Sequence, residues 1–291
     1  MTDFSMQRPP SATISLARGA RFLRRNPTLV VGGAILTVFV ALALLSPLFV
    51  GDVSSLNPME RLKPITMEHW LGTDAQGRDL LGRTIYGARV SLLVGCAVAI
   101  LAITIGVILG LLAGYVSWLQ TPVMTVMDAL MSIPAVLLAI SLVSLTSASV
   151  GTVIVAITIP EIPRVVRLVR SVVLSARRQA YVEAAVAGGA RTFKILWRHI
   201  LPATVPPLIV QATYVAASAI LIESALSFVG AGTPPEIPSW GNMISESRLY
   251  LSRAPITIFA PGLALALTVL AINLIGDGLR DRLDPKLARR M

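Results

Sequence analysis

The chain has 291 residues, of which 55% are hydrophobic and only 14% charged, and its mean hydropathy is +0.76. A water-soluble domain of this size does not need so much apolar surface, so the composition predicts an integral membrane protein. The net charge of +10 would suggest nucleic-acid binding in a soluble protein, but here the arginines flank apolar runs and predict membrane topology, with no nucleic-acid partner. Cys96 is the only cysteine, which excludes an intramolecular disulfide and a thiolate metal cage.

Six apolar runs are long enough to cross about 30 Å of hydrocarbon, which takes about 20 helical residues. We place spans near residues 29–50, 90–118, 122–145, 150–172, 203–229 and 256–279. The first run is longer than the apolar core of a signal peptide, and no clean small-x-small cleavage site follows it. The prediction is an all-α integral membrane protein with a partly disordered N-terminal tail over 1–28, a transmembrane domain over 29–279 and a C-terminal tail over 280–291.

Basic residues are distributed unequally among the segments that join these spans. Five precede the first span, eight lie between Arg164 and Arg198, and five follow Leu279, whereas the alternate segments hold seven. Because cytoplasmic segments carry the excess of Lys and Arg, this pattern places both termini and the loop 173–202 in the cytoplasm.

Small residues and prolines within the spans predict close packing and bending. Gly106, Gly110 and Gly114 form a small-xxx-small stripe, which lets a second helix approach closely and which we interpret as packing rather than a conducting surface. Prolines, which suit a bundle that changes shape, enter or interrupt the spans at Pro134, Pro160, Pro163 and Pro261.

Few ionisable groups fall near or within the spans. Asp128 and Glu161 lie toward the cytoplasmic ends and Glu223 toward the outer end, and such residues are candidates for lining a translocation path. An ion-coupled carrier would be expected to place titratable groups near the bilayer midplane. The chain offers little of that kind.

The residues that catalysis or metal binding would need are missing or dispersed. His69 and His199 lie outside the spans on opposite sides of the membrane, so they cannot form a proton relay or a shared metal site. The three lysines are followed by Pro, Ile and Leu, so the phosphate-binding loop of ATPases is absent and the chain is not expected to hydrolyse ATP. Residues 74–79 resemble half a calcium loop but lack the remaining oxygen ligands, so a structured loop that caps the bundle is expected, without metal.

Residues 175–198 form a polar island between two apolar segments. Glu183, Ala184 and Ala185 favour a short helix, and Gly188-Gly189 favours its end. Beyond the glycines, apolar residues recur at helical spacing and predict a second, amphipathic helix anchored by Phe193, Leu196, Trp197 and Ile200. These features fit either a knob that docks into another protein or a helix lying on anionic lipid headgroups.

The spacing within this island resembles a known motif. Glu183-Ala184-Ala185, then Gly189, then Ile200-Leu201-Pro202 resemble the EAA loop of ABC importer permeases, except that His199 stands where an isoleucine is usual. In that family the loop is a coupling helix inserted into a cleft of the ATPase subunit. The resemblance implies that Glu183 contacts or caps within the docking surface, that Ala184 and Ala185 allow close approach, and that the Gly188-Gly189 joint supplies the turn at Gly189.

Further stretches resemble the C-type membrane subunit of oligopeptide and dipeptide importers, the peptide/nickel group. They are His69 to Asp74, Gln76 to Asp79, Gly87 to Leu92, Glu223 to Gly230, and the tail from Gly276 to Pro285. The resemblance covers nearly the whole chain from about Arg21 onward. It implies a six-span type I importer permease in the cytoplasmic membrane of a prokaryote.

The resemblance also implies partners and a mechanism. The partners are a homologous second permease, two ATP-binding domains that hold ATP and Mg, an extracytoplasmic peptide-binding protein and membrane lipid, and this chain itself holds no cofactor. Transport of oligopeptides or dipeptides would proceed by alternating access. Two alternatives stay open: the same machine with nickel, haem or another small solute as cargo, and an ion-coupled carrier or a non-transport scaffold.

Overall fold

The computed structural model describes residues 26–49, 55–146 and 149–283, and in those ranges the chain is helical apart from turns and one isolated β-bridge. The predicted all-α class is confirmed for this part of the chain. Almost all of the predicted N-terminal tail and most of the C-terminal tail lie outside the described residues.

The α-helices of the described ranges are numbered here in chain order. They are α1 Pro27–Phe49, α2 Leu80–Tyr115, α3 Ser117–Met131, α4 Ala135–Ser144, α5 Val150–Ala176, α6 Ala180–Ala187, α7 Thr192–Ile195, α8 Leu201–Val229, α9 Trp240–Ser247 and α10 Ile256–Leu283. Two 3₁₀ turns, Pro58–Glu60 and Arg248–Tyr250, and a π turn, Leu196–Ile200, complete the helical elements of these ranges.

By length and apolar composition, four helical stretches in the described ranges could cross a membrane. They are Pro27–Leu48, Leu80–Tyr115, Thr192–Val229 and Ile256–Leu283. Helices α3 and α4, bent by 89° around Ser132-Ile133-Pro134, make a fifth if the pair counts as one span. Pro134 stands at the bend, where its ring and missing N–H prevent α3 from continuing.

Helix α5, which corresponds to the predicted fourth span, has 27 residues but is not among these stretches. Four charged side chains, Glu161, Arg164, Arg167 and Arg170, reduce its apolar character. Glu161 is itself fully buried, on the same side of the helix as Val153, Ile157, Val165 and Val169. α5 therefore belongs to the core of the bundle, and its less buried side presents a charged ridge formed by Arg164, Arg167 and Arg170.

The glycine stripe of α2 packs against α5, as its small residues predict. A Cβ atom at Gly106 would lie 2.5 Å from Val165 Cβ, one at Gly110 would lie 2.6 Å from Val169 Cβ, and one at Gly114 would lie 2.7 Å from Val173 Cβ. The contacts advance together along both helices, so α2 and α5 run parallel, with α3 and α4 crossing back between them. The stripe is thus the surface on which the two helices meet.

Helix α2 begins at Leu80, ten residues before the predicted second span. Asp79 is its N-cap, and its Oδ2 accepts a hydrogen bond of 2.7 Å from the N–H of Gly82. This cap satisfies one of the unpaired donors of the first turn, so the helix extends beyond the apolar run. At the other end the chain breaks at Val116, and Trp118 belongs to α3.

Two groups of connections lie at opposite ends of the bundle. Residues 55–79 and 231–255, which we call the cap, lie at the start of α2, where Trp240 Nε1 donates to Thr84 O at 2.9 Å. Residues 177–200, which we call the hairpin, lie at its end, where Arg177 donates to Gly114 O at 3.2 Å. Helix α8 returns from the hairpin to the cap.

Candidate coupling and translocation sites

The hairpin has the break predicted at Gly188-Gly189, in the form of a Schellman turn after α6. Gly189 has a φ of +73°, a left-handed conformation that glycine adopts without strain. Its N–H donates to Val186 O at 3.0 Å, and the N–H of Ala190 donates to Ala185 O at 3.0 Å. These two hydrogen bonds define the motif and satisfy carbonyls at the end of the helix.

The second half of the hairpin is not the separate helix that the sequence predicted. Thr192–Val229 is one 38-residue helical stretch, in which α7 passes through the π turn into α8. Pro202 has no N–H to donate to the carbonyl four residues earlier, and the N–H of Leu201 bonds back five residues to Leu196 O. The hairpin is therefore joined to α8 by continuous helix.

The side chains that anchor the hairpin also differ from the prediction. Val182, Ile195 and Ile200 are buried, whereas Phe193 and Trp197 are 76% and 66% exposed. The two aromatic rings stack with their centroids 6.4 Å apart, because residues four apart share a helix face. Only Ile200 of the predicted anchors is fully buried, and the aromatic pair faces away from the bundle.

The residues of the predicted coupling motif form one accessible surface. The exposed members are Glu183, Ala184, Gly188 and Gly189, while Ala185 is half-buried. A groove of about 420 Å³ lies beside them, lined by Tyr115, Arg177, Val182, Glu183, Val186 and Ala187. Arg177 also donates to the carbonyls of Gly114 and Tyr115, both at 3.2 Å, and so ties the start of the hairpin to the end of α2.

Asp128, the first of the three predicted path residues, lies on an exposed face shared by α3 and α5. Its Oδ1 accepts a hydrogen bond of 2.6 Å from Arg167, and both side chains remain about half exposed, at 59% and 46%. The pair joins two helices that are separated in sequence by the bend at Pro134. It is the closest contact between the charged ridge of α5 and another helix in the described ranges.

Glu161, the second predicted path residue, is buried between α5 and α8. Its Oε1 accepts a hydrogen bond of 2.9 Å from the hydroxyl of Ser218, and its Oε2 lies 3.5 Å from the guanidinium of Arg164. Arg164 is 39% exposed and lies over the ring of Tyr214, with the hydroxyl of Tyr214 3.3 Å from its donor nitrogen. Glu161 is thus the inner end of a polar cluster that opens to the surface at Arg164.

Glu223, the third, is also fully buried but lies near the cap end of α8. Its Oε1 accepts a hydrogen bond of 2.8 Å from Ser227, whose own oxygen accepts from the N–H of Thr233 at 3.4 Å. The structure therefore does not bring the three predicted residues into one site. Asp128 and Glu161 flank the charged ridge of α5, whereas Glu223 holds the cap connection that follows α8.

The cap contains a buried charge network that the sequence did not reveal. Arg78 donates to Asp74 Oδ2 at 2.6 Å and to Glu246 Oε2 at 2.5 Å, and Arg83, which is 1% exposed, lies 3.3 Å from the same Glu246 oxygen. The other oxygen of Asp74 accepts from the N–H of Gln76 and of Arg78, so this carboxylate organises a turn. Within the described ranges no group of three His, Cys, Asp or Glu side chains is placed to hold a metal ion.

His69 links the cap to the start of α2. Its Nδ1 lies 3.0 Å from Asp79 Oδ1, and its Nε2 lies 3.3 Å from Glu60 Oε2. The hydrogen bond to the Asp79 carboxylate raises the pKa of His69 above 6.5, with a smaller contribution from Glu60 and partial opposition from burial. Hydrogen bonds from Lys63 and, to a smaller extent, from His69 lower the pKa of the Glu60 carboxyl.

Comparison with known proteins shows which family has this architecture. The family model described as the binding-protein-dependent transport system inner membrane component matches residues 102–289, which include the hairpin. A probable peptide ABC transporter permease protein of Sinorhizobium fredii is 57% identical over 93% of each chain. A dipeptide transport system permease protein of Alkalihalophilus pseudofirmus is 42% identical over 91% of this chain and 88% of its own.

The fold also has a solved counterpart. The inward-facing MetNI methionine ABC transporter contains a chain that aligns with a TM-score of 0.58 and 20% identity, over 70% of this chain and 98% of that one. At this identity the likeness concerns the fold alone. With four to five helices in the described ranges able to cross a membrane, the protein is a multi-pass membrane protein, and it belongs to the family of binding-protein-dependent transport system inner membrane components.

Proposed function

We propose that this chain is the membrane-spanning permease subunit of an ATP-driven importer of dipeptides or oligopeptides. The observation that carries the proposal is the exposed EAA surface of the hairpin, set by the Schellman turn at Gly189, in a chain whose close relatives are named as peptide permeases. The partners would be a homologous permease, two ATPase domains that bind ATP and Mg, and an extracytoplasmic peptide-binding protein. ATP hydrolysis then belongs to the partners.

In this proposal the hairpin faces the cytoplasm and the cap faces the binding protein, with both termini in the cytoplasm. The excess of basic residues at the hairpin side supports this orientation. Exposed Glu183, Ala184 and the glycine turn would dock in a cleft of the ATPase, with the stacked rings of Phe193 and Trp197 beside them. An apolar, exposed aromatic pair on a polar knob is better explained by a protein partner than by solvent.

The continuous helix from α7 into α8 suggests how movement would reach the membrane. ATP binds the closed ATPase pair more tightly than the open pair, and only this differential affinity can shift the bundle between two states. Because no loop separates the hairpin from α8, displacement of the docked knob would move α8 directly. Helix α8 contacts Glu161 of α5 through Ser218, so the movement would reach the charged ridge.

The test is purification of the tagged full-length chain from its native membrane in mild detergent, followed by mass identification of the proteins that accompany it. We expect a homologous permease and an ATPase with a phosphate-binding loop. The same preparation, reconstituted with its binding protein, should take up peptides only with ATP. A folded chain recovered without an ATPase in several detergents would reject the proposal and restore the lipid-surface interpretation of the hairpin.

A second cargo is retained because the cap and helices described here do not select the solute by themselves. Nickel, haem or another small solute would use the same coupling hairpin. Uptake assays with peptides and with the metal salts, using one reconstituted complex, separate the two.

A further inference from the structure

The charged ridge of α5 lies beside an apolar stretch of α2, inside the end of that helix. Val165 packs on Gly106, so the turn that carries Arg164 is level with a point nine residues, or about 14 Å, inside the end of α2 at Tyr115. Residues 107–113 of α2 are apolar or glycine. A guanidinium beside this stretch would be costly to expose to lipid, so its exposed face is expected to meet protein or a water-filled path.

Within the ridge, Arg164 and Arg167 differ in how they are bound. Arg167 is held at 2.6 Å by the Asp128 carboxylate, a short charge-assisted hydrogen bond. Arg164 lies 3.5 Å from Glu161 and 3.3 Å from the Tyr214 hydroxyl, both longer than such bonds normally are. Arg164 is therefore the more weakly engaged of the two guanidinium groups.

The surroundings of Arg164 orient it toward the exposed face. Its guanidinium carbon lies 5.5 Å from the centroid of the Tyr214 ring, a cation–π distance, and Tyr214 is itself 50% exposed. Glu161 stays behind it, held by Ser218 at 2.9 Å. A planar guanidinium with several donors matches a carboxylate in two parallel hydrogen bonds.

We propose that Arg164, stacked on Tyr214 and backed by Glu161, is a weak binding site for the carboxylate of the peptide cargo on the translocation path. The inference rests on the proposed function. Every unmodified linear peptide carries this group at its C-terminus, whatever its side chains, so one arginine can serve cargo of varied sequence. Glu161 is a resident competitor for the guanidinium, which keeps the binding weak enough for the cargo to leave, as transport requires.

The position of Arg164 along the bundle favours cargo over a lipid headgroup as the anion. Asp128 and Glu161 flank the site and weaken its attraction for any anion, which suits a site that the cargo must leave again. Arg164 is level with a point about 14 Å inside the end of α2, whereas a headgroup phosphate is fixed at the bilayer surface. A cargo carboxylate, in contrast, travels through the bundle past this depth.

The experiment uses the complete complex in proteoliposomes with its binding protein. Initial uptake rates are measured at saturating peptide for a tripeptide with a free C-terminal carboxylate and for its C-terminal amide. The pair is chosen so that the isolated binding protein binds both peptides with similar affinity. The measured quantity is the ratio of the two rates. We expect the wild type to favour the carboxylate and Arg164→Gln to reduce that ratio about tenfold, the effect of losing one charge-assisted contact.

Two variants sharpen the result. Arg164→Lys keeps the charge without the fork and is expected to give an intermediate ratio. Arg167→Gln, one turn away, is the matched control and should keep the wild-type ratio even if its absolute rates fall. Where Arg164→Gln does not assemble, Tyr214→Leu removes the ring that orients the guanidinium and should lower the ratio.

Three results would overturn the inference. An unchanged ratio in Arg164→Gln, with both rates reduced, would make Arg164 a packing residue. If Arg164→Gln leaves the ratio unchanged and the uptake rates of the wild type depend on the fraction of anionic lipid, the site belongs to a lipid headgroup. A wild-type complex whose ATPase responds to the binding protein but which transports neither peptide would reject the peptide cargo itself, and this inference with it.

Discussion

The turn at Gly189 offers the sharpest test of the coupling hairpin. Nothing lies within 4 Å of the position that a Cβ atom would take at Gly189, so replacement by alanine meets no steric clash. The cost is that of the left-handed backbone at φ +73°, about 1–2 kcal/mol for an L-residue. That free energy lowers the population of the intact turn about five- to thirty-fold relative to a broken one.

The assay is the number of peptides transported per ATP hydrolysed by the reconstituted complex. Gly189→Ala should lower this coupling ratio, whereas Gly189→Asn should retain more of it because asparagine tolerates the left-handed region. Gly189→Glu adds a charge to the docking surface as well as the strain, and should leave ATP hydrolysis largely uncoupled from transport.

The adjacent glycine is the matched control. Gly188 has a φ of −75°, which any residue adopts, and a Cβ atom there would lie 3.3 Å from Ala184 O, a tight contact that a shift of a few tenths of an ångström relieves. Gly188→Ala should therefore lose less coupling than Gly189→Ala. Equal losses in Gly188→Ala and Gly189→Ala would refute the backbone argument, and normal coupling in Gly189→Glu would refute the assignment of the hairpin.

Three further predictions concern the scaffold. Gly110→Leu should destabilise the complex by about 1–3 kcal/mol, because a side chain would overlap Val169 of α5. A fall in the thermal unfolding midpoint measures this loss, and an unchanged midpoint would contradict the close approach of α2 and α5. Asp74→Asn should cost about 1.5–3 kcal/mol, since it removes an anion from beside the buried Arg78, which keeps Glu246 as its other partner, and limited proteolysis of the cap should detect the loss. Because the folded-state pKa of His69 is raised above 6.5, its ion pairs stabilise the cap fully below that value and are lost as pH rises through the higher folded pKa. Hydrogen exchange of the cap should therefore accelerate as pH rises through that window by more than base catalysis alone explains, with His69→Gln as the reference for base catalysis. An equal pH dependence in the two proteins would count against a stabilising role for the ion pairs of His69.

Local chemistry explains the features that could be predicted from the sequence. The break in the hairpin follows from glycine, whose left-handed backbone is available in any context. The packing role of the α2 stripe follows from the size of its residues, and the apolar runs of four spans follow from the energetics of hydrocarbon. The motif of Glu183, Ala184 and Ala185 lies together on the surface because it is contiguous in one short helix.

Features that depend on contacts between distant residues could not be predicted in this way. Periodicity alone could not tell that the aromatic pair faces outward, because the side of a helix that is buried depends on the helices beside it. Nor could it identify α5 as the partner of the glycine stripe.

Spacing in the sequence determined the helices, the hairpin turn and the membrane character of this chain. Tertiary structure alone decided the buried charges of the cap, where Glu246 meets Arg78 and Arg83 from more than 160 positions away in the chain. It also decided that Arg164 reaches Tyr214 on α8 while Arg167 reaches Asp128 on α3. Which charge a side chain meets depends on the packing of whole helices, and that packing is a property of the folded bundle rather than of any local stretch.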